Sequence, residues 1–401
     1  MASAAILGFG TVGSGVYEIV KNSSFIDMID EDINIKYILD IRDFDDEEIK
    51  PLLTKDFNII LNDDDIKVVA EVMGGLHPAY EFTKQLLEKG VSVVTSNKEL
   101  VATYGAELLE IAKANDASYM FEASVGGGIP VIRPMTVCTK ANTIKRIAGI
   151  LNGTTNYILN EMFEKGKSFD EALVDAQEKG YAEKNPAADV EGHDACRKLA
   201  ILSSMAWGKF VDYRDIPTQG IVDITLDDVK YAEKLDSVIK LIGYAELEDD
   251  GRIYARVSPM IVSNKIIISS VNDVFNAVMI KGDYLGNAMF YGRGAGKEAT
   301  ASAVVADILD CARHFNTKKH NIQWGTSDKD IMVSPDEKIL SFFVRCGDTK
   351  ENIEKYFNDV SFIEMIDGEN AFIIKNILQK DLTAGLDKLD NVISCLRILE
   401  A

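Results

Sequence analysis

The sequence predicts an α/β protein in three parts, and three observations carry that prediction. Through about residue 134, short apolar runs alternate with amphipathic helical patterns, as in a parallel sheet covered by helices. The first strand–helix junction is glycine-rich. From residue 336 the pattern reads strand, helix, strand, strand, helix, strand, which is a ferredoxin-like order. Between them, 135–316 places helices before strands, as in an α+β domain with an open sheet.

AAILG, residues 4–8, is a strand that runs into GFGTVGSG and the helical pattern VGSGVYEIVKN. Gly8, Gly10 and Gly13 form G-x-G-x-x-G in the strand–turn–helix setting that lets backbone N–H groups approach a pyrophosphate. A tight structural turn is the plainer alternative. The flanking strand and helix favour a dinucleotide site built from Gly8, Phe9, Gly10, Thr11, Val12 and Gly13, in a Rossmann-like domain over 1–134. INIKYILDI and DIKVVAEVM continue the sheet. VSVVTSNKEL, residues 91–100, then brings Thr95, Asn97 and Lys98 to the carboxyl end of a fourth strand, where open parallel sheets bind ligands. Asp40, ending the second strand, would bond a ribose 2′-OH and favour NAD, whereas Arg42 would pair a 2′-phosphate and favour NADP.

In the middle part, RIAGILNGTTNYILNEM carries a small-residue turn, Asn152–Thr155, into a helix that Thr154 and Thr155 could cap. DACRKLAILSSMAW places Ala195, Leu199, Leu202 and Ala206 in an apolar stripe at helical spacing. Asp194 and Lys198 flank the stripe, and residues four apart on a helix share a face, with Cβ atoms roughly 5–6 Å apart. A surface ion pair would look the same. Glu183 lies upstream in a loop with a proline that cannot continue a helix, so it can fold back over the helix start. Ile221–Ile242 is expected to be helical, and RIYARVSPMIV, KIIISSV and FNAVMI to be strands. GRGAGKEATASAVVADILDCARHF closes this part with a glycine turn and a long helix. Residues 317–335, polar and turn-rich, read as a linker before the 336–401 module.

Composition narrows the function. A formal net charge of −21 over 401 residues argues against nucleic acid and anionic membranes, whose phosphates it would repel. The five cysteines, odd in number and without C-x-x-C spacing, suggest neither a disulfide framework nor a zinc site. No apolar run approaches the roughly 20 residues needed to cross a bilayer, and MASAAILGFG reads straight into a strand. A soluble, cytoplasmic protein is expected.

GILNGTTNYILNEM, GYAEKNPAADVEGHDACRKLA and GRGAGKEATASAVVADIL follow the N-terminal glycine string in the order and approximate spacing of homoserine dehydrogenase, and residues 4–316 resemble that family. The resemblance implies NADP- or NAD-dependent interconversion of aspartate 4-semialdehyde and homoserine, in threonine and methionine biosynthesis, by a homodimer or higher homo-oligomer. It assigns Lys198 as general acid, Glu183 and Asp194 as carboxylates holding homoserine, and Lys98 to the cofactor and substrate side of the cleft. It adds Thr95, Arg42, Gly180 and Gly296 to the cofactor site. It further implies a monovalent cation, sodium or potassium, on Glu122 and the main-chain oxygens of Val125, Gly127 and Ile129. Oxygen ligands suit such a hard ion. The C-terminal element order resembles an ACT domain, with CGDTKEN in place of the expected Asp-x-Pro-Gly turn, and Ala299 stands where the family has proline. His193 occupies a variable position and reads as a solvated or helix-start residue, not a catalyst. The competing readings are a dehydrogenase for a related amino acid or semialdehyde, and a catalytically silent nucleotide-binding amino-acid sensor. A phosphorylating semialdehyde dehydrogenase would need an activated cysteine, and Cys138 and Cys196 lack a recognisable partner.

Overall fold

The computed structural model describes residues 2–22, 33–314, 322, 324–325, 330–364 and 366–400. Much of the expected linker, residues 317–321, 323 and 326–329, lies outside the described residues. The chain divides into two compact units: residues 1–144, 200–213 and 282–328, and residues 145–199, 214–281 and 329–401.

The first unit opens with β1 (Ala2–Leu7), α1 (Thr11–Asn22), β2 (Ile33–Leu39), β3 (Leu53–Thr54), α2 (Phe57–Leu61) and β4 (Ile66–Glu71). It continues through α3 (Ala79–Glu88), β5 (Ser92–Thr95), α4 (Lys98–Ala114) and β6 (Tyr119–Met120). The strands are all parallel, in the order β3-β2-β1-β4-β5-β6. Ala4, Ala5, Ile6 and Leu7 are wholly buried, as expected of a strand covered on both faces. Because β2 lies on one side of β1 and β4 on the other, the chain order reverses at the end of β1, the place where such sheets bind ligands. A later helix, Lys297–Arg313, packs closely along α1, since a Cβ on Gly15 would stand 2.9 Å from that of Ala301.

The second unit begins with β7 (Ile144–Ile150), α5 (Gly153–Lys165), α6 (Phe169–Glu178), α7 (Ala187–Val190) and the start of α8 (His193–Trp207). Then follow α9 (Leu226–Lys234), β8 (Ser237–Leu247), β9 (Ile253–Ser263) and β10 (Phe275–Gly282). After β11 (Gly286–Arg293) and α10 (Lys297–Arg313), which belong to the first unit, come β12 (Ile339–Cys346), α11 (Lys350–Tyr356), β13 (Ser361–Ile363), β14 (Asn370–Leu378), α12 (Gln379–Leu386) and β15 (Val392–Leu399). The strands run in the order β10-β7-β8-β9-β15-β12-β14-β13. The C-terminal β-α-β-β-α-β order is therefore as expected, around a core of Phe342, Val344, Ile353, Phe357, Phe372 and Leu382. Its last strand pairs in parallel with β9, Arg397 against Met260 and Leu399 against Val262, so this segment extends the preceding sheet.

Three local expectations are corrected. The segment Ile221–Ile242 is not one helix: α9 ends at Lys234, Asp236 takes a left-handed turn, and β8 starts at Ser237. β8 is buried on both faces, so its continuous apolar run carries no period of two to separate it from a buried helix. KIIISSV is a short 3₁₀ turn, Ile267–Ser270, not a strand. The helix after Gly149 is capped by Asn152, whose side chain accepts the N–H of Thr155, and not by either threonine.

One buried charge network joins the C-terminal segment to α9. The Arg345 guanidinium on β12 bonds Asp228 at 2.7 Å and Glu369 at 3.0 and 3.1 Å, with the Thr225 hydroxyl at 3.1 Å. Asp228 also closes the capping box of α9 with Thr225. Arg345→Ala strands two buried carboxylates and is expected to cost about 3–5 kcal/mol in urea unfolding. Loss of the half-exposed Arg252, which pairs with Asp250 and Glu337, is expected to cost no more than about 1 kcal/mol.

Candidate active site

Sterics fix the glycine turn after β1. Gly8 has φ +94°, and a Cβ there would meet Met73 Cα at 2.9 Å; at Gly13 it would lie 2.0 Å from the Gly8 carbonyl oxygen. Gly10 is different, because a Cβ there meets nothing within 4 Å. It borders open space at the start of α1, whose first-turn N–H groups have no partner within the helix. That is where a pyrophosphate can approach.

A carboxylate sets the turn. Asp40, buried just beyond β2, accepts the Phe9 N–H at 2.7 Å. It also takes the Arg42 backbone N–H and two guanidinium hydrogen bonds at 2.8 and 2.9 Å. The Arg42 guanidinium and these N–H groups hold the Asp40 carboxyl well below the usual carboxylate range. Arg42 lies over the Phe44 ring at 5.1 Å, and Phe44 packs edge-on against Phe9. Both candidate ribose-reading residues are thus bonded to each other.

At the end of β4 sits Glu71, wholly buried and absent from the sequence expectations. It accepts the Thr95 hydroxyl at 2.6 Å and the Met73 N–H at 2.9 Å, and burial raises its pKa. Thr95 in turn accepts the Asn97 N–H, and Asn97 caps α4 while donating to the Gly75 carbonyl at 2.6 Å. Lys98, half-buried, is the first residue of α4 and so stands at the carboxyl edge of the sheet. The Thr95 hydroxyl faces Glu71.

The Phe121–Pro134 string folds as a loop against the turn before α10. A Cβ on Gly127 would lie 2.5 Å from the Gly294 oxygen, one on Gly128 2.8 Å from the Ala299 Cβ, and the Gly128 N–H donates to Arg293. Gly296 caps α10 at φ +121° with open space at its Cβ. The Glu122 carboxylate accepts the N–H groups of Val131, Ile132 and Arg133 at 2.7–2.8 Å. Its own N–H donates to Asp307, which Arg133 also meets at 2.5 Å. Burial pushes the Asp307 carboxyl up to about 7 against the pull of Arg133. Glu122 is therefore a structural acceptor whatever else it binds. Among the described residues no group of three or more His, Cys, Asp or Glu side chains could hold a metal ion.

In the second unit, Lys198 and Asp194 are on one face of α8, as their spacing predicted, but they are buried. Their exposures are 8% and 5%, which rules out a solvated surface pair. The Lys198 ammonium donates to Asp194 Oδ2 at 2.7 Å and to the Leu151 carbonyl at 2.7 Å. An ammonium has three donors, so one hydrogen remains for an incoming oxygen. Asn152 and Asp189, both missed in the sequence reading, complete the cluster: the Asn152 amide donates to Asp189 at 2.7 Å and to Asp194 at 2.9 Å. The signal was present, because an asparagine preceding a helix is a preferred cap. Glu183 is exposed, on the loop between α6 and α7. Gly180 ends α6 at φ +75°, and the loop is fixed by Gln177 donating to the Glu183 carbonyl and the Thr154 hydroxyl to that of Tyr181. His193 is exposed and meets Glu191 at 3.1 Å.

A parallel sheet with its glycine turn at the switch point is the framework of a dinucleotide-binding domain. The sequence matches two family descriptions: "Homoserine dehydrogenase, NAD binding domain" over residues 8–122 and "Homoserine dehydrogenase" over 130–309. It is 43% identical over 350 residues to a homoserine dehydrogenase of Synechocystis, covering 84% of this chain and 81% of that one. The solved homoserine dehydrogenase of Thiobacillus denitrificans superimposes with a TM-score of 0.90 at 34% identity, covering 100% of this chain and 98% of that one. A hyperthermophilic archaeal homoserine dehydrogenase in complex with NADPH gives a TM-score of 0.67 at 29% identity, over 79% of this chain and 99% of that one. The chain belongs to the homoserine dehydrogenase family, as an NAD(P)-dependent oxidoreductase acting on a CH–OH group. Among the described residues no helix is long and apolar enough to cross a membrane.

The glycines separate fold from ligand. Gly13→Ala is expected to lower the unfolding temperature, since its Cβ has no room. Gly10→Ala is expected to fold normally and to lose at least about tenfold in NADPH affinity, measured by fluorescence titration, because its methyl occupies the open face.

Proposed function

We propose that Lys198 is the general acid and base of homoserine–aspartate semialdehyde interconversion. The observation that carries this is the buried ammonium, with two hydrogens committed to Asp194 and Leu151 and one unengaged. The bound nicotinamide supplies or removes the hydride. During reduction charge grows on the substrate oxygen, and the Lys198 ammonium stabilises and protonates it; during oxidation the neutral Lys198 amine accepts the hydroxyl proton and becomes the ammonium. Asp194 fixes the ammonium in place. Glu183, whose carboxylate meets no donor among the described residues, would take the substrate ammonium from the loop above. Lys98, at the carboxyl edge of the nucleotide sheet, would serve the cofactor and substrate side.

NADP with dual use of NAD is the cofactor reading that the Asp40–Arg42 pair supports. With Asp40 already neutralised by Arg42, a 2′-phosphate meets a guanidinium first. The Phe121–Pro134 loop, with Glu122 and the carbonyls of Val125, Gly127 and Ile129, is the place for a sodium or potassium ion; none of the loop's main-chain hydrogen bonds ends on those three carbonyls. Such an ion would hold the loop against α10. A homodimer in the cytoplasm completes the reading. For the C-terminal segment we favour a structural role: Asp348, in the turn after β12, is filled by the N–H groups of Thr349 and Asp390 and by Asn352.

Lys198→Ala is expected to lower kcat for homoserine oxidation by about 10² or more while leaving NADPH affinity unchanged, and an unchanged kcat would refute the assignment. Arg42→Ala is expected to raise the KM for NADP about tenfold or more with little effect on that for NAD. Equal effects on both cofactors would place Arg42 outside the 2′-phosphate site.

A further inference from the structure

We propose that Asn152 is a positioning residue for the reaction, the neutral clamp that holds two carboxylates, Asp189 and Asp194, in one fixed arrangement around Lys198. The inference rests on the reading of Lys198 as the proton-transfer group. It starts from the position of Asn152 at the end of β7, where the backbone is still extended (φ −132°, ψ 121°) before α5 begins.

Each end of the Asn152 side chain has a separate task. The amide oxygen faces the helix, accepting the Thr155 N–H at 2.9 Å and the Thr155 hydroxyl at 3.2 Å. That leaves the amide nitrogen turned the other way. It donates to Asp189 Oδ1 at 2.7 Å and to Asp194 Oδ2 at 2.9 Å. The Asp194 oxygen is the same one that accepts from Lys198. The residue before it, Leu151, gives its carbonyl to the same ammonium. Two consecutive residues therefore set both fixed contacts of Lys198: one directly, through a carbonyl, and one indirectly, through the carboxylate that Asn152 orients.

The arrangement asks for an uncharged group with two donors and an acceptor. Two carboxylates brought together repel, and each buried oxygen without a donor is costly. A primary amide satisfies both without adding charge, and its oxygen remains for the cap. Packing leaves little slack: a Cβ on the next residue, Gly153, would lie 2.6 Å from the Val274 oxygen, and Leu151 packs under Gly149 and Gly243. Asn156, one turn into α5, donates to the carbonyls of Val271, Asp273 and Phe275, so the helix that carries the cap is itself anchored.

Capping and positioning can be told apart. Serine and aspartate cap a helix about as well as asparagine, but serine lacks the two N–H donors and aspartate replaces them with a third negative charge. For Asn152→Ser the unfolding midpoint is expected to stay near that of the parent enzyme, while kcat for homoserine falls about tenfold or more and NADPH affinity is unchanged. Asn152→Asp, equally able to cap, is expected to lose more activity than Asn152→Ser, and its remaining kcat should recover at lower pH as the added carboxyl is protonated. Parent-like kcat in both variants, or a loss matched by the fraction unfolded, would overturn the proposal. Lys198→Ala is assayed alongside: full activity there would overturn the reading beneath it, whereas an inactive Lys198→Ala with active Asn152 variants would overturn the Asn152 role alone.

Discussion

The constraint on which the second unit turns is the burial of one ion pair, Lys198 with Asp194. Removing two charges from water is costly unless geometry and extra hydrogen bonds compensate. Here the compensation comes from three segments, one 42–47 residues upstream of the pair and two consecutive in the chain. The end of β7 supplies the Leu151 carbonyl and the Asn152 amide, α7 supplies Asp189, and α8 supplies the pair itself. The cap of α5, the path of the chain through α7 and the start of α8 are consequently not independent features. Each is placed so that one ammonium keeps two fixed acceptors and one free direction.

The first unit uses a related device. Three carboxylates near the carboxyl ends of its strands, Asp40 after β2, Glu71 in β4 and Glu122 after β6, each accept backbone N–H groups of the loops leaving that edge. An acidic chain thereby turns part of its charge into loop geometry, and the loops so fixed leave Gly10 with open space. In a protein of net charge −21 an anionic cofactor needs local relief, which the first-turn N–H groups of α1 can give, and the Arg42 guanidinium neutralises the nearby Asp40 carboxylate. With the Asp40 carboxyl held below its usual range by Arg42, that neutralisation is in place before any ligand arrives.

Much of this was legible in the sequence, and the part that was not has identifiable causes. The glycine turn, the alternation of strands and helices, and the Asp194–Lys198 face could be read because each depends on local spacing. β8 was read as helix because a strand buried on both faces has no polar alternation to mark it. Asn152 was passed over in favour of its threonine neighbours, since the cap depends on which side chain the backbone turns toward the helix. Asp189 and Glu71 were invisible for another reason: nothing local separates a bonded carboxylate, partly buried at Asp189 and wholly buried at Glu71, from the many exposed ones. The depth of Lys198 was likewise a matter of what packs over α8.

The measurement that bears most directly on the account is a crystal structure of the enzyme with homoserine and NADP. The homoserine hydroxyl oxygen is expected within about 3.2 Å of the Lys198 ammonium, on the side opposite Asp194 and Leu151. A hydroxyl held by some other residue, with the Lys198 ammonium still engaged only by Asp194 and Leu151, would contradict it.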